Sequence, residues 1–63
     1  MQTIRETING LNQAKDAHAA MYQAAQRLAQ LEPNIITHSL TVDDSRRKYD
    51  AIGRAVEALQ GAL

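Results

Sequence analysis

Sixty-three residues, with no cysteine, tryptophan or phenylalanine and with seven basic side chains against seven acidic ones, make one small domain of zero formal charge. A chain of this length buries only about 60% of its unfolded surface, and the missing cysteines exclude disulfides and thiolate metal sites, which leaves close helix packing or self-association as its support. The charge balance argues against a dedicated nucleic-acid binder, no apolar run approaches the ~18 residues of a membrane span, and "MQTIRETING" lacks the apolar centre of a secretory signal, so a soluble protein with the cytoplasm as default compartment is expected.

Helix 1 is expected over residues 3 to about 31. Thr3 stands three residues before Glu6, the capping-box spacing. Apolar residues then recur at helical intervals at Ile4, Ile8, Leu11, Ala14, Ala17, Met21, Ala25, Leu28 and Leu31. Asn9-Gly10 is a turn dipeptide elsewhere, but here it reads as a weak point in a continuous helix, with the glycine costing roughly 1 kcal/mol against alanine. Pro33 disfavours helical geometry at Glu32 and supplies the stop.

Residues 32–40 read as a connecting loop that is unusually apolar. Because a helical hairpin is open where its helices join, Ile35, Ile36 and Leu40 are expected to fold inward and plug that end, with Pro33 and Asn34 making the bend. An exposed docking loop or a strand is the competing reading.

Helix 2 is expected over about 41–61, with Thr41 as N-cap and Asp43 and Asp44 in the first turn, where the helix dipole favours negative charge. Val42, Tyr49, Val56 and Leu63 fall seven apart, interleaved with Ser45, Ile52 and Leu59, which is the seam of a coiled coil. Beside it runs a strip of small residues, Ala51, Ala55, Ala58 and Ala62, and Gly61 marks a fraying last turn. The fold expected is an all-α antiparallel two-helix hairpin, paired into a homodimeric four-helix bundle.

The pairing rests on length. At ~1.5 Å per residue, helix 1 runs roughly 43 Å and helix 2 roughly 32 Å, so helix 2 reaches only to about Leu11. Ile4 and Ile8 are then left without a partner inside the chain. With Leu11, His18, Tyr22 and Tyr49 they form the expected dimer or partner interface.

Chemistry-bearing constellations are few. His18 lies on the apolar stripe and His38 in the loop, without acidic neighbours in register, so both read as hydrogen-bonded residues and no metal is expected. Arg46, Arg47 and Lys48 fan around a helical turn, with Asp43–Arg47, Asp44–Lys48 and Asp50–Arg54 spaced as exposed i,i+4 pairs. A solvated charged face is the leading reading, and a phosphate or acidic-partner contact the alternative. No glycine-rich phosphate loop and no nucleophile–base spacing occurs. No catalysis, cofactor or small-molecule substrate is therefore expected.

The leading functional expectation is a non-enzymatic interaction module that binds a partner protein and inhibits or regulates it, as phage accessory proteins do. A chaperone-like subunit of a heteromeric helical bundle is the alternative. A nucleic-acid binder using Arg46, Arg47 and Lys48 comes third.

Overall fold

The first helix begins where its cap lies. In the computed structural model, which describes residues 2–63, Thr3 is extended (φ −82°, ψ 166°) and α1 runs from Ile4 to Leu31. The Glu6 backbone N–H donates to Thr3 Oγ1 at 3.2 Å, satisfying one orphan donor of the first turn. The Glu6 carboxylate accepts from the Thr3 hydroxyl at 3.3 Å, so the box closes between side chains. α1 passes through Asn9-Gly10 unbroken, as expected. It stops before Pro33: Glu32 leaves the helical region (φ −131°, ψ 67°) and its N–H caps Leu28 O at 2.8 Å.

The connection is shorter than the sequence suggests. α2 spans Ile36–Gln60, so only residues 32–35 join the helices and the expected start at Thr41 is five residues late. Thr41 is no cap, because its hydroxyl donates back to Thr37 O at 2.9 Å within the helix. The turn is fastened by Ile35 N–H donating to Glu32 O (3.1 Å) and His38 N–H to Ile35 O (3.2 Å).

The apolar plug is also corrected. Ile35, Ile36 and Leu40 are 42%, 71% and 59% exposed. Once Ile36 and Leu40 belong to a helix, their positions point away from the seam, and His38 is the residue of this stretch that turns inward. Truncating Ile36 to Ala should therefore shift stability by no more than about 0.5 kcal/mol. A thermal melt followed by far-UV circular dichroism checks this, and a drop of several degrees would restore the plug.

α1 packs on α2 through positions spaced alternately three and four apart. On α1 these are Ile8, Leu11, Lys15, His18, Tyr22, Ala25 and Ala29; on α2, His38, Val42, Ser45, Tyr49, Ile52, Val56 and Leu59. Ile8, Ala25, Val56 and Ser45 are buried outright among the described residues, and most of the others are half-buried. Ala25 and Ser45 keep the helices close.

The lengthened α2, 25 residues against 28 in α1, removes the expected overhang. Ile8, expected at an intermolecular interface, is instead 7% exposed within one chain. Ile4 remains 40% exposed.

Beside the packed seam, α1 carries a second one displaced by a single residue: Ala14, Ala17, Met21, Ala24, Leu28 and Leu31, again spaced three and four apart. This seam is wholly apolar. Yet Met21, Leu28 and Leu31 are 49%, 42% and 72% exposed. The matching row on α2 holds Thr41, Asp44, Lys48, Ala51, Ala55 and Ala58, with Ala62 just past the helix end and the four alanines exposed.

Candidate functional site, a tyrosine-lined groove

Tyr22 and Tyr49 sit on facing seams, and antiparallel packing brings their rings to one side of the hairpin. Between them lies a groove of about 560 Å³, walled by Ala19, Tyr22, Gln23 and Gln26 from α1 and by Arg46, Tyr49 and Asp50 from α2. Gln26 Nε2 donates to the Tyr22 hydroxyl at 2.9 Å, one helical turn away. Lys15 extends along the seam and places Nζ 4.9 Å from the centre of the Tyr49 ring, a cation–π contact that holds the ring in place. Among the described residues neither Arg46 nor Asp50 enters an ion pair. The groove thus offers two aromatic walls, one uncommitted cation, one uncommitted anion and two amides. No histidine or serine lines it.

Three residues singled out in the sequence, Tyr22, Tyr49 and Arg46, converge here. Gln23, Gln26 and Asp50 do so as well; their signal was positional, since Gln26 follows Tyr22 and Asp50 follows Arg46 by four residues. Arg47 and Lys48 stand elsewhere. Lys48 Nζ lies 2.9 Å from Asp44 Oδ2 on the far flank. The hydrogen bond from Lys48, aided by its charge, holds the Asp44 carboxyl below the ordinary carboxylate range. This support is complete above that range and is lost only as pH falls beneath it. The pair lies on the exposed surface, so its effect is small. The expected Asp43–Arg47 and Asp50–Arg54 pairs do not close to ion-pair distance, because exposed charges gain little in water for the side-chain order they lose.

The two histidines occupy separate stations. His38 does have an acidic neighbour, across the turn: Nε2 lies 3.2 Å from Glu32 Oε1. His18 lies in the seam, where its Nδ1 and the Ser45 hydroxyl are both buried without a hydrogen-bond partner. No three histidine, aspartate or glutamate side chains converge among the described residues. Ser45 is 1% exposed. A buried hydroxyl with no partner costs about 1–3 kcal/mol of desolvation. Ser45→Ala keeps the close approach and removes that cost, so it should raise the midpoint of thermal unfolding by several degrees. An unchanged or lowered midpoint would mean the hydroxyl is satisfied.

No described helix is long and apolar enough to cross a membrane. Comparison of the chain with protein-family models, curated proteins and solved structures finds no match.

Proposed function

We propose that this hairpin is a non-enzymatic protein–protein interaction module, working as a homodimeric four-helix bundle and holding a segment of a regulated partner in the Tyr22–Tyr49 groove. The observation that carries the reading is the convergence of two aromatic rings with the uncommitted Arg46 and Asp50 in one cleft. Tyrosine and arginine dominate the energetics of protein interfaces, and Arg46 can take a partner carboxylate in a bidentate grip. The groove holds no nucleophile–base pair, which favours binding over catalysis. Modulation, and inhibition in particular, is then steric: an occupied groove denies the partner segment to other contacts.

Tyr49→Ala and Arg46→Glu test it. A partner captured from source cells by the parent protein and identified by mass spectrometry should bind each variant at least about tenfold more weakly, while helical content is retained. Equal binding by both variants would overturn the groove as the contact.

The exposed Met21, Leu28 and Leu31 also favour the chaperone-like alternative, in which a partner's amphipathic helix covers them. That reading requires a chain that stays monomeric alone and orders fully only with its partner. The nucleic-acid reading has weaker support, because Arg46 and Lys48 lie on opposite flanks of the hairpin.

A further inference from the structure

The tyrosine groove does not end at Gln26. A second hollow of about 360 Å³ opens there, lined by Gln26, Ala29 and Gln30 from α1 and by Ser39, Val42 and Asp43 from α2. Gln26 belongs to both hollows, and the lining positions keep to one face of each helix, so the two form one trough on one side of the hairpin. The trough runs from Ala19 to Gln30 on α1 and from Ser39 to Asp50 on α2. At ~1.5 Å per residue that is about 16 Å, or about three helical turns.

Its cross-section is ordered. Ala19, Tyr22, Ala29, Val42 and Tyr49 are half-buried and form the floor. Gln23, Gln26 and Gln30 are exposed along the α1 rim, and Asp43, Arg46 and Asp50 along the α2 rim. One rim is therefore all amide, and the other alternates in charge. Among the described residues none of those three charges enters an ion pair. Asp43 and Asp50 stay unpaired even though Arg47 and Arg54 follow them by four residues.

The spacing of the charged rim selects the geometry of an occupant. Its steps of three and four residues advance ~4.5 Å and ~6 Å along α2. A helix laid alongside repeats the same steps and can meet all three charges at once. Side chains on one face of a strand recur every ~6.6 Å, and those of polyproline II every ~9.3 Å. Neither keeps step with the triad. With two carboxylates to one guanidinium the trough is net negative, which disfavours a phosphate backbone and favours a basic edge.

We propose that the occupant of the groove is an amphipathic partner helix of about three turns, with a basic–acidic–basic triad at i, i+3 or i+4, and i+7 along the edge that meets α2. Its apolar stripe seats on the tyrosine floor, and the edge that meets the glutamines is polar and uncharged. The inference rests on the groove reading above and names the chemistry of the segment held there.

A phage-displayed library of random linear peptides longer than the trough, panned in parallel on the parent and on an Asp43→Arg/Arg46→Glu/Asp50→Arg variant, tests it. Peptides enriched on the parent should share the triad and gain helical circular dichroism on binding. Those enriched on the variant should carry the inverse triad. A peptide selected on the parent should bind the variant at least about tenfold more weakly, and Arg46→Gln should weaken it severalfold, with the helical content of both proteins retained. Enriched peptides that lack the triad, stay extended, or are the same on both proteins overturn the helical occupant, as does no enrichment at all. So does a triad reversal that dissolves a homodimer, which would seat a second copy in the trough. In each of these cases the groove reading still stands if the captured partner depends on Tyr49 and Arg46. A captured partner indifferent to Tyr49→Ala and Arg46→Glu sinks both.

Discussion

Replacing Val56 by Asp should unfold the hairpin. Val56 is 6% exposed and is one of only three apolar side chains buried outright among the described residues, with Ile8 and Ala25. A domain this small has roughly 3–9 kcal/mol of total stability at the usual ~0.05–0.15 kcal/mol per residue. An unpaired carboxylate placed in the seam costs several kcal/mol and removes the valine's own burial as well. The sum meets or exceeds what there is to lose. Far-UV circular dichroism at neutral pH should show most of the helix gone, with partial recovery on acidification as the new carboxyl is neutralised. A cooperative melt like that of the parent would mean that the seam through Val56 is not the core.

Ile8→Ala should lower stability by about 2–4 kcal/mol, within the range for truncating a buried aliphatic side chain, and so lower the unfolding midpoint by ten degrees or more. The argument turns on where α2 begins. Had it started at Thr41 it would end its reach short of Ile8, and the truncation would be silent in a monomer. Because α2 starts at Ile36, its C-terminal half lies alongside the N-terminal half of α1 and Ile8 is buried within one chain. The loss of stability should therefore be the same at low and high protein concentration. A loss that appears only where copies associate would return Ile8 to an intermolecular role.

That register error shows what was legible in this sequence. The two helices, the Thr3 cap, the unbroken passage through Gly10 and the Pro33 stop follow from local chemistry, which a sequence displays directly. The start of α2 was obscured because Thr41-Val42-Asp43-Asp44 imitates a helix start and the β-branched run before it imitates a loop. A longer-range signal pointed the other way: the three–four spacing of the α2 seam continues backward from Ser45 through Val42 and His38 to Ile35.

The groove was half legible. Tyr22 and Tyr49 read as rim residues, but their meeting with Arg46 and Asp50 depends on the axial register of two helices, which a four-residue turn decides. The α1 stripe was misread for a related reason. Two seams one residue apart compete on one helix, and the more apolar of them, through Met21 and Leu28, is the one the fold leaves outside. The chosen seam tolerates Lys15 and Tyr22 because their polar ends can reach past the helix edge, whereas His18 keeps Nδ1 buried within it.

The short connection between residues 32 and 35 also sets a timescale. Bringing two chain segments together across so few residues costs little closure entropy, and loops of this kind close in about 10–100 ns. The contacts within each helix are local in sequence and those between the helices form one ladder that starts at this turn, and helical chains of this kind fold in microseconds to milliseconds. Pairing should begin beside Pro33 and run outward like a zip, with Ile8 and Leu59 the last to engage. The same order reversed is the path of opening: the free ends part first, and amide exchange should slow from the termini toward the turn-proximal half of each helix.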